Sequence, residues 1–433
     1  MNAKGRSASL LLGVLLTACV GTPTGPTPAP PSPAAQNPGA GVSSATATTP
    51  IPTPTPTPTP TPPPQPPATV AWTELATIDV GSHGSISGAR ALGGGYVAWG
   101  TYATSFEGRD RAFATWFSPD GRTWERTIHS EVISPCPGWT ERQNLEPMNP
   151  DASASDGRTL VIMATFLLPD LEACDRAWVI SLSTTDGRSW TRSQPFGAPS
   201  QDPAWSVWAE DAWVIPGGWE ASLNGAVALI WRSSDLDTWY PVAASVDFFD
   251  FWVGGAAPDG SRLAASGTSE TEQAMLLAST DASTWRVVHS LPANFNAVGI
   301  APPSEAGRPW LVATEMYNGE REEARVLVST DLQAWQSSTF PRPGVDAMAS
   351  TRFGWIAIGY WPPRATGCGD ECRPEDPLLF MSADGATWVE HALPYCGDGF
   401  FVEDDAGLLA IGWAPSTESE FGVWRVWRMT SGD

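Results

Sequence analysis

From residue 68 to its end, the chain is expected to be all-β: a seven-bladed β-propeller of four-stranded sheets, closed by its own first strand. A short phrase ending in tryptophan recurs six times at near-regular spacing. Apolar, strand-like runs lie upstream of these phrases, and there are seven of those runs, not six. One further strand-like run, Ala71 to Ile78, stands alone at the start of the domain. A period near 50 residues marks a repeat architecture, to be read before any single element.

The six phrases run Ser118 to Trp124, Thr184 to Trp190, Ser233 to Trp239, Ser279 to Trp285, Ser329 to Trp335 and Ser382 to Trp388. Their aspartates are Asp120, Asp186, Asp235, Asp281, Asp331 and Asp384, spaced by 66, 49, 46, 50 and 53 residues. An apolar strand enters each phrase, and a second strand starts at its tryptophan. The phrase therefore reads as a hairpin turn. An aspartate there can accept hydrogen bonds from the amides of its own turn, and glycine tolerates positive φ. The tryptophan offers a large apolar body for packing between neighbouring sheets.

The pattern S/T-x-D-x-x-x-W, with Gly after Asp in three copies, resembles the Asp-box (BNR repeat) of sialidase-like β-propellers. The resemblance covers residues 68 to 433. It implies four strands per blade, a to d from the axis outward, with the boxes as c–d turns. The six box aspartates are then structural, on the face opposite the b–c and d–a loops.

The seven upstream runs are the expected b strands: Gly95 to Gly100, Leu160 to Thr165, Ala212 to Gly218, Arg262 to Gly267, Pro309 to Thr314, Gly354 to Gly359 and Gly407 to Gly412. The last is followed by Gly422 to Met429 with no complete phrase after it. Its outer strand is supplied by Ala71 to Ile78, where Trp72 takes the place of a box tryptophan. Closure of this kind removes free edges.

Ahead of this domain the chain reads as an export and anchoring segment. Lys4 and Arg6 precede an apolar run, Ala8 to Leu16, and then Leu16-Thr17-Ala18-Cys19. The run is too short for a membrane span, which needs about 20 residues, and reads as a signal peptide over residues 1–18. Leu-Thr-Ala-Cys resembles the bacterial lipobox, which implies cleavage before Cys19 and its acylation. Residues 21 to 67 carry no charged side chain and are dominated by Pro, Thr, Ala, Gly and Ser. The stretch 19–67 is thus expected to be an extended linker, reaching up to roughly 150 Å at about 3.1 Å per residue. The chain is expected to be exported and lipid-anchored to the bacterial cell membrane, facing outside the cytoplasm, as a monomer.

The chain holds 24 basic and 47 acidic residues. Without residues 1–18 it has 22 against 47, a net charge of −25. Such a surface repels nucleic acid and anionic lipid. Six cysteines suit an oxidising compartment. With Cys19 taken by lipid, Cys136–Cys174 is the expected first disulfide. Cys396 pairs with Cys368 or Cys372, and the sequence leaves that choice open.

Loops on the d–a and b–c face are where binding is expected. The entries to the innermost strands offer His83 or Ser85, Asn149 or Asp151, Asp202, Asp247 or Asp250, Asn294 or Asn296, Asp346, and Asp398. The rim of the second strands adds Tyr102, Trp219, Glu220, Glu315, Tyr317, Tyr360, Trp361 and Trp413. An acidic and amide ring edged by aromatics suits a cation, a basic peptide or a neutral sugar. The resemblance to sialidases would imply an Arg-Ile-Pro, three carboxylate-binding arginines and a Tyr–Glu pair. No Arg-Ile-Pro occurs, and Arg90 is the only arginine in an expected first strand. Sialidase activity is therefore disfavoured. A different glycosidase needs only two carboxylates, about 5 to 5.5 Å or roughly 6.5 to 9.5 Å apart. Asp202, Asp250, Asp346 and Asp398 are the candidates. His129, His289 and His391 fall on outer strands and cannot converge with His83 on one metal. Neither metal nor cofactor is expected. The reading is a non-catalytic binding or scaffold module for glycan or envelope protein, with glycoside hydrolysis as the alternative.

Overall fold

A computed structural model describes residues 66–105, 112–129, 152–166, 178–197, 208–224, 230–242, 251–257, 262–266, 273–303, 308–317, 321–360, 378–395, 399–416 and 422–432. The residues expected to form a signal peptide, most of those expected to form a linker, and all six cysteines lie outside them. The described residues form 28 strands and no helix, in the arrangement of a β-propeller.

The strands assemble into seven four-stranded antiparallel sheets. Sheet 1 holds β2 (Ser85–Leu92), β3 (Gly95–Tyr102), β4 (Ala112–Ser118) and β5 (Glu125–His129). Sheet 2 holds β6 (Ser153–Ser155), β7 (Leu160–Phe166), β8 (Trp178–Thr184) and β9 (Thr191–Arg192). Sheet 3 holds β10 (Trp208–Ile215), β11 (Gly218–Asn224), β12 (Ile230–Ser233) and β13 (Tyr240–Val242). Sheet 4 holds β14 (Phe251–Ala256), β15 (Arg262–Ser266), β16 (Met275–Ser279) and β17 (Arg286–Ser290). Sheet 5 holds β18 (Phe295–Ala301), β19 (Trp310–Tyr317), β20 (Arg321–Ser329) and β21 (Gln336–Thr339). Sheet 6 holds β22 (Gly344–Thr351), β23 (Gly354–Tyr360), β24 (Leu378–Ser382) and β25 (Val389–Ala392). Sheet 7 holds β26 (Gly399–Asp404), β27 (Gly407–Ala414), β28 (Val423–Gly432) and, as its outer strand, β1 (Thr69–Ile78) from the other end of the domain. Thr69 pairs with Gly432 and Ile78 with Trp424.

First strands meet first strands, so β2, β6, β10, β14, β18, β22 and β26 are innermost. Apolar side chains fill each gap between successive sheets. Val97 and Phe113 meet Leu160 and Ile162 between sheets 1 and 2. Val161 and Met163 meet Ala221 and Leu223 in the next gap. Trp213 meets Leu277, Leu276 meets Val312, and Leu311 meets Trp355. Met381 meets Leu408, and Leu409 meets Ala98 and Trp116 between sheet 7 and sheet 1. The last sheet thus packs on the first. Sheets buried on both faces by their neighbours explain why second and third strands such as β3, β4 and β24 are nearly continuous buried runs.

One tryptophan enters each gap. Trp124, Trp190, Trp239, Trp285, Trp335 and Trp388 each pack between their own sheet and the one before. Trp72 of β1 does the same between sheets 6 and 7. Its Nε1 donates to the Ala392 carbonyl at 3.0 Å.

In sheet 3 the structure corrects the expected strand boundaries. Residues 212–218 were expected as the second strand, yet Trp208–Ile215 is innermost and the second strand is Gly218–Asn224. Pro216-Gly217 forms the turn between them, with Gly217 at φ 84.

Candidate functional site

The six aspartate turns share one geometry. In the first, Ser118 Oγ accepts the Gly121 N–H at 2.8 Å, and Asp120 Oδ1 accepts those of Arg122 at 2.8 Å and Thr123 at 3.0 Å. Asp186, Asp235, Asp281, Asp331 and Asp384 each accept the corresponding two amides. These bonds favour the ionised carboxylate. The Ser189 and Arg188 amides bring Asp186 down to about 2, and those of Thr284 and Ser283 do the same for Asp281. A carboxylate so bound is an acceptor held in its own turn and a poor proton donor or nucleophile. The residue after each aspartate is left-handed: Gly121, Gly187 and Gly385 at φ 73 to 76, and Leu236, Ala282 and Leu332 at φ 59 to 65.

At the opposite ends of the sheets, Asn296 is exposed on β18. It lies across from Glu315 of β19. Asp346 sits where the β22 register slips between Val345 and Ala347. Tyr317 and Tyr360 close β19 and β23. Trp413, near the end of β27, is half-buried, and its ring stands where a Cβ on Gly422 would fall, at 2.4 Å. Asp202, Asp250, Asp398, Trp361 and every cysteine lie outside the described residues.

Two rim candidates are placed differently from expectation, and a third is closed off by burial. Trp219 begins β11, beside the aspartate turn of its sheet, and is buried between sheets 2 and 3. It cannot edge the loop face. Its neighbour Glu220 is fully buried, accepts the Trp213 Nε1–H at 3.0 Å, and pairs with Arg232. Glu315 is on the expected strand but is buried and accepts the Val345 N–H at 2.7 Å. Tyr102, also on the rim, lies under the Arg126 guanidinium, 3.7 Å from its centroid.

Inside the ring the innermost strands enclose a cavity of ≈ 700 Å³. Ser85, Ser87, Arg90 and Ser153 form one wall, and Ala347, Met348, Ala349 and Phe400 another. Arg90 donates to Ser153, from Nε to Oγ and from a terminal nitrogen to the carbonyl, each at 3.4 Å. Asp211 of β10 acts on it across sheet 2. Burial pushes the Asp211 carboxyl up to about 7, against the Ala212 N–H it accepts at 2.7 Å and against the charge of Arg90. Sequence reading noticed Arg90 and missed Asp211. The available signal was Glu210-Asp211 inside the apolar strand Trp208–Ile215, hidden once the strand boundary was misplaced. No group of three or more His, Cys, Asp or Glu able to hold a metal occurs among the described residues.

No family model and no curated protein matches the sequence. Among solved structures, the chain is similar to a sialidase of Trypanosoma rangeli in complex with 2,3-difluorosialic acid. That match has 12% identity and a TM-score of 0.44, and covers 83% of this chain and 58% of that one. The α-L-arabinofuranosidase Arb93A from Fusarium graminearum is similar at 12% identity and TM-score 0.42, over 82% of this chain and 98% of that one. YCF48 from Cyanidioschyzon merolae is similar at 10% identity and TM-score 0.46, over 83% and 98%. The chain spans 58% of the length of the sialidase. The likeness is one of fold.

Proposed function

We propose that this chain is an exported, lipid-anchored binding or scaffold module, a seven-bladed propeller whose d–a and b–c loops take a glycan or an envelope protein. The aspartate turns are its Asp-boxes and serve the fold. Asp202, Asp250 and Asp398 lie outside the described residues, and the support for the non-catalytic reading comes from two other carboxylates, Glu220 and Glu315. Both are buried and already bonded, to Arg232 and Trp213 in one case and to the Val345 amide in the other. Neither is free to act as an acid, base or nucleophile. The exposed Asn296 suits recognition by hydrogen bonding. Fold cannot separate a binder from an enzyme, because propellers host both.

The anchor rests on Cys19 and the segment around it. Cys19→Ala should move the protein from the membrane fraction to the soluble exported fraction. Retention in membranes after that change would remove the anchor from the proposal. The ligand is tested on a glycan array, with the same glycans incubated for hours and checked for cleavage. Binding without cleavage is expected. Cleavage that is lost in Asp202→Asn, Asp250→Asn, Asp346→Asn or Asp398→Asn would replace the proposal by a glycoside hydrolase.

A further inference from the structure

Arg90 is the one basic residue in the seven innermost strands, whose described sequences otherwise carry Glu210, Asp211, Asp346, Glu403 and Asp404. In a chain of net charge −23, a lone cation at the axis stands out electrostatically. Its side chain has open surface, and that surface faces the central cavity. It is nonetheless ringed by protein, and the loss of solvent pulls its pKa below the usual arginine value. A guanidinium has five donors. The two bonds it makes to Ser153 are both 3.4 Å, at the long limit for such bonds. The neighbouring Asp211 titrates near neutrality, so at pH 7 it compensates the charge only in part. Donors left unspent on a side chain that keeps open surface toward a cavity are available to an anion there.

The rest of the wall is of the opposite character. Ala347 and Ala349 expose small apolar faces to the cavity, with Met348 and Phe400 half-buried beside them. The volume of ≈ 700 Å³ falls within the range of small-molecule sites, about 300 to 1,000 Å³. We infer that the central cavity is a binding site for a small amphipathic anion, whose charged group pairs with Arg90 beside Ser153 and whose apolar body lies against Ala347, Met348, Ala349 and Phe400. The cavity reaches the strand entries at Ser85 and Gly399, while Arg90 lies farther along β2, and the inference does not rest on the role proposed for the loop face.

Isothermal titration of the full chain at pH 7 with octanoate, octanol and octyltrimethylammonium tests the inference. Octanoate should bind once per chain, at least about tenfold more tightly than either control, a difference on the scale of a charge-assisted contact. Arg90→Gln should weaken octanoate by about tenfold or more and leave octanol unchanged. Ala349→Trp fills the apolar wall while keeping the arginine, and should weaken octanoate by a similar factor with an unchanged circular dichroism spectrum. If Arg90→Gln fails to fold, Ala349→Trp decides alone. Equal affinity for octanoate and octanol overturns the inference. So does octanoate binding that ignores Ala349→Trp.

Discussion

The two ends of each sheet obey different rules. At the aspartate-turn end, six sequences converge on the same hydrogen bonds, the same left-handed residue and the same inward tryptophan. Along the axis the seven innermost strands differ from one another. β2 offers serines and an arginine, β10 adjacent carboxylates, β14 a glycine pair, β22 small and apolar residues with one aspartate, and β26 a phenylalanine pair followed by two carboxylates. The repeated end supplies stability by local bonds and sheet-to-sheet packing. The variable part is left free to carry chemistry, the division of labour expected of a scaffold that holds a site.

The largest effect expected on the repeated end comes from Gly187→Ala. A Cβ there would fall 2.2 Å from the ring of Phe117, and the backbone is left-handed at φ 73. Overpacking and strain together should cost about 3 to 4 kcal/mol. A melting temperature within a degree of the parent would show the turn to be more compliant than its geometry implies.

Acid should act next, at the end of β5 away from the aspartate turn. His129 of β5 is buried, bonds Thr115 Oγ1 through Nε2 at 3.0 Å, and stands edge-on to Trp190 of the following sheet. Burial, helped by the charge of Arg192, lowers its pKa to about 4. A histidine whose folded pKa is depressed binds its proton more readily when unfolded. Its contribution is therefore fully present above pH 6.5 and is lost as pH falls from 6.5 towards 4. That window is worth about 3 kcal/mol. Melting curves at pH 8 and pH 5 should differ markedly in the parent and less in His129→Phe. Identical pH profiles for the two proteins would assign the acid sensitivity elsewhere.

Glu220→Ala removes one side of a buried pair and strands the Trp213 indole N–H. The partner Arg232 keeps 31% of its side-chain surface exposed, which lets water relieve it. A loss of about 2 kcal/mol is expected, at the low end for a broken buried pair. No measurable change in denaturant midpoint would reopen Glu220 as a group kept for function.

The smallest effect belongs to Gly217→Ala. Its φ of 84 is as left-handed as that of Gly187, yet nothing lies within 4 Å of the added Cβ. Conformational strain alone remains, about 1 kcal/mol. The gap between Gly187→Ala and Gly217→Ala measures how much of the turn's demand for glycine is contact between sheets.

The repeated end was legible because its signals are local. Ser118, Asp120 and Trp124 lie within one turn, and six copies correct one another. Trp72 was legible as the seventh tryptophan for the same reason. The axis was not. Asp211 matters through Arg90, 121 positions earlier in the chain, and through burial that no neighbouring residue announces. Glu315 looked like an open carboxylate because its partner, the Val345 amide, is 30 residues away on another sheet. Trp219 was misplaced by one misjudged turn at Pro216-Gly217, which carried it from the buried end of its strand to the loop rim.

The pairing of β1 with β28 has a mechanical consequence. Thr69, the first residue of β1, pairs with Gly432, at the far end of β28. A pull on the chain ahead of residue 69 therefore loads that antiparallel ladder from one end, opening its rungs in succession. Rungs loaded in succession yield at a lower force than rungs sheared all together. The strand that fastens the ring is thus the first to peel under such a pull.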